Sequence, residues 1–158
     1  MKKIINPFIG KENYNCFGCS PHNQVGLQME FIDEDKQIVC EWEPKQHLQG
    51  YNNILHGGIQ ATLMDEIASW FVYAKLETGG VTSRISVRYK RPVFTNKGKI
   101  KITAELKEVN KNLANILTKI IDADGKLCSE AEVQYYILPK EQAVEKLKYP
   151  GVESFYND

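Results

Sequence analysis

Along the second half of the chain the apolar residues fall at every other position. Ile100, Ile102, Ala104 and Leu106 alternate with Lys99, Lys101, Thr103 and Glu105. Leu127, Ser129, Ala131, Val133, Tyr135 and Ile137 alternate in the same way with a more polar set. A period of two with one apolar face predicts antiparallel strands, one side turned inward and the other toward water. The pattern and its bounding turns predict strands over Leu27 to Ile32, Gln37 to Glu43, Val81 to Arg91, Lys99 to Val109, Leu113 to Ile121 and Lys126 to Leu138. Between them stand Asp33-Glu34-Asp35-Lys36, Thr95-Asn96-Lys97-Gly98, Asn110-Lys111-Asn112 and Asp122-Ala123-Asp124-Gly125, each with hairpin chemistry.

One segment breaks the rule. From Gly57 to Leu76, closed by Gly79-Gly80, the chain predicts a helix. Ile59, Ala61, Leu63, Met64, Ile67, Ala68, Trp70, Phe71, Val72 and Ala74 leave that helix almost no polar face. A helix apolar nearly all round is buried on most sides. The expected architecture is therefore α+β, a curled antiparallel sheet of about six strands around one long central helix. Residues 1–25, rich in Asn, Gly and Pro, are expected to form an N-terminal arm to a domain over 26–139. Residues 140–158 are expected to form a tail with a short helix roughly from Lys140 to Leu147.

Composition narrows the partners. The chain has 158 residues, enough for one domain with a substantial core. Twenty basic residues balance twenty acidic ones, so no overall field favours nucleic acid or an anionic membrane. An anionic ligand would have to be held by a local cluster. Lys2-Lys3 is followed by only two apolar residues, which makes no signal-peptide core, and no stretch approaches membrane-spanning length. A cytoplasmic location with four reduced cysteines is expected. Cys16-Phe17-Gly18-Cys19 would need two further ligands to hold zinc. His22 is close, but Cys40 and Cys128 lie in strand-like segments, and Asn15 and Pro21 suggest a loop rather than a redox helix start. The pair is expected to form a structural turn without metal, and no cofactor is called for.

Dinucleotide, Walker, G-x-S-x-G and H-E-x-x-H signatures are missing. Leu55-His56-Gly57-Gly58 stands instead at the mouth of the buried helix. Its first turn carries unpaired N–H groups and partial positive charge, and the glycines let a ligand oxygen approach. Such a site can hold the oxyanion of acyl transfer, although a glycine pair also serves close packing. Asp65 and Glu66 lie inside the same apolar helix, where a carboxylate is paired, protonated or functional. From His56 to Asp65 is about 13 Å along the axis and roughly half a turn net. The two thus face opposite sides, and a two-fold partner could supply the missing half of a site. Arg88, Lys90 and Arg91 form the densest basic cluster, suited to phosphates or to a protected strand edge. Trp70, Phe71 and Tyr73 are expected in the core before an acyl pocket.

The run His47-Leu48-Gln49-Gly50-Tyr51 through Leu55-His56-Gly57-Gly58 to Leu63-Met64-Asp65-Glu66 resembles hotdog-fold thioesterases of the phenylacetic-acid-degradation type. So do Thr82 to Pro92 and the early Cys16-Phe17-Gly18-Cys19 with Gly26-Leu27, so that the likeness covers most of residues 16–138. The resemblance implies hydrolysis of a small or medium acyl-CoA thioester by a homodimer or dimer of dimers, with sites at the subunit interface. It implies that Gly57 offers its N–H to the thioester carbonyl, that His56 shapes the turn, and that Asp65 is nucleophile or general base. Thr82 matches a hydroxyl that positions water or the carboxylate, and Gly58, Glu66, Arg88, Lys90 and Arg91 are candidates for substrate binding. One position departs: members of the family often carry Asn six residues before the His, where this chain has Gly50. Hotdog hydratase or dehydratase chemistry, and acyl-CoA binding without turnover, are the alternative expectations.

Overall fold

The computed structural model describes residues 1–156. Strands β1 (Lys2–Lys3), β2 (Ile32–Glu34), β3 (Gln37–Trp42), β4 (Gly80–Tyr89), β5 (Ile100–Asn110), β6 (Leu113–Ile121) and β7 (Leu127–Ile137) make one antiparallel sheet in the order β1-β2-β3-β5-β6-β7-β4. Helix α1 (Gly57–Lys75) touches β3, β4, β5, β6 and β7. A straight helix reaches that many strands only if the sheet curls round it, so the expected hotdog architecture is present. Helix α2 (Lys140–Leu147) occupies the short C-terminal span foreseen from the sequence. None of the described helices is long and apolar enough to cross a membrane.

The inward rows match the alternation. Ile100, Ile102 and Ala104 of β5 are buried, and so are Ser129, Ala131, Val133 and Tyr135 of β7. Leu106 departs from it, being 42% exposed. Its row ends where the register shifts at a bulge between Leu106 and Glu108, and β5 runs on to Asn110 as an exposed ribbon. At the β6–β7 turn Asp122 Oδ1 accepts the N–H groups of Asp124 and Lys126 at 3.0 and 2.9 Å, and Gly125 takes φ +80°. The acidic pair there is hairpin chemistry, as expected.

The N-terminal region corrects the strand count. Of the span Leu27 to Ile32 only its last residue joins the sheet. Leu27 and Met29 donate their N–H groups to Phe17 and Gly18 carbonyls at 2.7 and 2.9 Å, and Trp42 Nε1 donates to Leu27 O at 2.8 Å. The alternation of Leu27, Met29 and Phe31 is real, but the segment pairs with the cysteine loop. A seventh, two-residue strand, β1, pairs with β2 and leads into the buried Ile4. Trp70 stacks on Phe31 at 4.6 Å between centroids and meets Phe155 edge-on at 5.6 Å. Tyr73 stacks on Tyr149 and Phe155, both buried, so arm and tail close over one side of α1. Trp70, Phe71 and Tyr73 thus belong to the core. The last two residues of the expected tail lie outside the described residues.

Candidate active site

The entrance to α1 is built around His56. Its backbone N–H donates to Leu48 O at 3.0 Å and its carbonyl accepts from Gln60 N at 3.0 Å. Its Nδ1 accepts the Gly58 N–H at 2.9 Å, an N-cap bond of a kind worth roughly 0.5–2 kcal/mol. A Cβ on Gly58 would lie 3.1 Å from that nitrogen, so the glycine gives the imidazole room to cap. Tyr89 Oη, from the end of β4, donates to Gly57 O at 2.6 Å and steadies the turn from the other side. The Gly57 N–H has no hydrogen-bond partner among the described residues. An open donor at a helix N-terminus suits a developing negative charge. Clefts of about 400 and 350 Å³ flank this turn, one lined by His47, Leu48, His56 and Gly58, the other by Gly50, Tyr51, Ile54 and Gly57.

Asp65 lies two and a half turns further on, half-buried, and lines neither cleft. Thr82 of β4 and Tyr135 of β7 are directly paired across the sheet, so their side chains share a face. Thr82 Oγ1 and Tyr135 Oη both donate to Asp65 Oδ1, at 2.8 and 2.9 Å, and Tyr135 Oη also reaches Asp65 O at 3.0 Å. A bulge between Thr82 and Arg84 sets aside Ser83, whose hydroxyl turns to Gln134 Oε1 at 2.8 Å. Burial first, and then the neighbouring Asp65 charge, push the Tyr135 hydroxyl far above its ordinary range, so it stays a donor. One carboxylate oxygen is thereby fixed by two hydroxyls, while Oδ2 has no hydrogen-bond partner among the described residues. The carboxylate is aimed by the sheet.

Glu66 goes elsewhere. Its Oε1 accepts from Trp70 Nε1 at 3.1 Å and from the Cys16 thiol at 3.4 Å. The Cys19 thiol is 3.0 Å from Tyr14 Oη, and the Cys19 N–H donates to Cys16 Sγ at 3.4 Å. The Cys19 thiol beside it holds the Cys16 thiol below its usual range, whereas Cys19, bonded to Cys16 and buried, is pushed far up. The cysteine loop is a turn, but one docked on the central helix.

The basic cluster divides. Lys90 pairs with Glu130 at 3.1 Å, and Arg88 stands opposite Glu130 in the strand register. Arg91 turns away to a cavity of about 210 Å³ that it lines with Lys97, Lys126, Phe94, Asp122 and Asp124. That cavity adjoins the helix entrance, because Leu55 N–H donates to Val93 O at 2.8 Å and Ile54 bridges to Phe94.

The structure therefore brings His56, Gly57 and Gly58 together at one end of α1 and Asp65 with Thr82 further along. Glu66, Arg88 and Lys90 join neither group. Tyr89, Tyr135 and Lys126 were missed. Tyr135 sits in the inward row of β7, where a buried phenol needs a partner, and that was a usable signal.

Comparison with known proteins follows the same region. The family model described as thioesterase superfamily matches residues 52–129. A Thermoplasma acidophilum protein provisionally named as an esterase, Ta0293, is 28% identical over 117 residues, covering 72% of this chain and 84% of that protein. Acyl-coenzyme A thioesterase THEM4 of Bos taurus is 32% identical over 74 residues, which are 43% of this chain and 29% of the relative. The crystal structure of a thioesterase superfamily protein superposes with a TM-score of 0.70 at 23% identity, covering 77% of this chain and 62% of that one. The chain thus spans under a third of THEM4 and under two thirds of the solved protein, and the structural likeness speaks for the fold. The chain is thus similar to the thioesterase superfamily over residues 52–129 and shares the fold of the solved superfamily protein.

Proposed function

We propose that the chain hydrolyses a small or medium acyl-CoA thioester to the free acid and CoA, as a homodimer or dimer of dimers of the phenylacetic-acid-degradation type. The observation that carries this reading is the Asp65 carboxylate, fixed at Oδ1 by Thr82 and Tyr135 with its second oxygen open. The thioester carbonyl binds at the Gly57 N–H, where the first turn of α1 stabilises the oxyanion. Asp65 Oδ2 then takes a proton from water as that water attacks, or itself attacks to form an anhydride that water opens. Collapse of the tetrahedral intermediate expels CoA as its thiolate. Label found in Asp65 after single turnover in ¹⁸O-water would identify the nucleophilic route, since general-base catalysis puts label only in the product acid.

Asp65 and Gly57 of one chain lie too far apart along α1 to act on one carbonyl, so the partner supplies the second half of each site. Strand β4 supports that arrangement. It is an edge of the sheet, mostly exposed, and carries Val81 and Tyr89 at 54% and 50% exposure. An unpaired sheet edge is a template for a second copy. In this reading Arg91, Lys97 and Lys126, which line the cavity beside the helix entrance, meet the CoA phosphates, with Arg88 near the end of β4 and Lys90 just beyond it. Acyl-CoA as substrate is consistent with the name of the bovine relative.

His56 argues against hydratase chemistry, because its Nδ1 is occupied as the cap acceptor. Incubation with a panel of acyl-CoA esters and a thiol reagent tests the proposal. Free CoA is the expected product. New absorbance without thiol would mean dehydration, and thermal stabilisation without either would mean binding alone.

Gly50 offers a second test. A Cβ there would lie 3.6 Å from His56 Cα, an ordinary contact, and its φ is not positive. Gly50→Asn is therefore expected to keep the fold and raise kcat/KM severalfold by restoring the family side chain. Unchanged kinetics in the folded variant would mean that this position does not meet the substrate.

A further inference from the structure

We propose that Cys16, Cys19 and Glu66 form a site for a thiophilic divalent cation of the zinc class, which staples the N-terminal loop to the central helix. From sequence the cysteine pair lacked further ligands, and a turn without metal was expected. The fold supplies the third. One ligand atom from each of Cys16, Cys19 and Glu66 lies within 4.8 Å of the others. Ligands set tetrahedrally at zinc distances stand about 3.5 to 3.8 Å apart. Cys16 Sγ and Glu66 Oε1 are already 3.4 Å apart, so closure asks only for a small shift of two side chains.

Three features are better explained by an ion than by a turn. Gly18 lies between the cysteines, and a Cβ there would come within 2.5 Å of the Glu66 carboxylate. A turn alone does not demand that approach, whereas a shared ligand set does. The Cys19 N–H donates to Cys16 Sγ at 3.4 Å, an amide-to-sulfur bond that favours the thiolate a metal requires. Outer partners are also in place. Asn6 Nδ2 donates to Tyr14 Oη at 2.9 Å, and Tyr14 Oη stands 3.0 Å from Cys19 Sγ, while Trp70 Nε1 holds Glu66 Oε1. Such second contacts orient metal ligands.

Two thiolates and one carboxylate suit zinc and disfavour magnesium or calcium. Water fills the fourth position. A groove of about 480 Å³ lined by Ile4, Asn6, Cys19, Met29, Phe31 and Trp70 provides an entry path. Binding releases two thiol protons to solvent. The Cys16 proton now bonded to Glu66 leaves, and the freed carboxylate oxygen turns to the ion. The site is independent of the proposed hydrolysis.

The test uses the full chain, reduced and freed of metal, titrated with Co²⁺ and then with Zn²⁺. A thiolate-to-cobalt charge-transfer band should saturate at one ion per chain and vanish on adding Zn²⁺, which should also raise Tm. Cys16→Ser should remove the band. Should that variant fail to fold, Glu66→Gln is close to isosteric and should keep the band but weaken Zn²⁺ binding at least about tenfold. Absence of a saturating band in the reduced wild-type chain, or equal Zn²⁺ affinity in folded Glu66→Gln, would overturn the proposal.

Discussion

Asp65→Asn should fold normally and lose hydrolysis by about 10²–10⁴-fold in kcat, the range assigned to a positioned acid or base. The substitution is nearly isosteric, and the amide oxygen can still accept from Thr82 Oγ1 and Tyr135 Oη, so the anchoring of the side chain survives. What disappears is the charge and the basic second oxygen. Neither water nor a thioester can then be attacked through that atom. Tyr135→Phe and Thr82→Val remove one anchor each and should cost less, because the remaining hydroxyl still fixes Oδ1. Glu66→Gln should cost less again, since Glu66 bonds Trp70 and Cys16 on another side of the helix. Thiol release gives kcat, and circular dichroism with thermal melting checks the fold. A folded Asp65→Asn that kept most of its kcat would remove Asp65 from the chemistry.

The elements that the sequence revealed are those whose physics is local. Helix α1 was visible because an all-round apolar run must be buried, and its start was marked by His56-Gly57-Gly58. The β5, β6 and β7 meander was visible because alternation and turn residues agreed. The segment Leu27 to Phe31 shows where such evidence stops. Period two reports which side chains face inward, not which backbone accepts the hydrogen bonds, and here it was the cysteine loop. Strand β1 carries only Lys2 and Lys3, too short for any period, and is held by the buried Ile4 beyond it. Tyr149 and Phe155 were invisible as anchors because their partners, Tyr73 and Trp70, are distant in sequence.

The candidate site divides in the same way. Asp65 stood out because an ionisable group inside an apolar helix needs a reason. Its two anchors differ in legibility. Thr82 came from the family resemblance, whereas Tyr135 looked like one more inward aromatic of β7. Its hydroxyl gains meaning only when strand pairing sets it opposite Thr82. Glu66 adjoins Asp65 in sequence, but one step of about 100° on the helix turns it to a different neighbourhood. Arg88, Lys90 and Arg91 are contiguous in sequence, yet Arg91 lies beyond the end of β4 and faces the β6–β7 turn.

The second large effect is a gain of activity on mixing two inactive variants, and it bears directly on the claim that each site is shared. Asp65→Ala removes the carboxylate, and Gly57→Pro removes the N–H donor at the first helical position, where proline is tolerated. The proline ring would press on Tyr89, whose ring lies 3.4 Å from the position of a Cβ on Gly57, so folding of that variant is verified first by circular dichroism. Alone, each variant forms dimers defective in every site and should be nearly inactive. When an equal mixture is unfolded and refolded, random pairing makes about half the dimers mixed. In a mixed dimer one site holds both native groups and the other holds both defects. The thioesterase rate should then recover to about a quarter of wild type, half the dimers times half the sites. If each site were built within one chain, every site would keep one defect, and a rate that stays at zero with heterodimers seen by mass spectrometry would contradict the shared site.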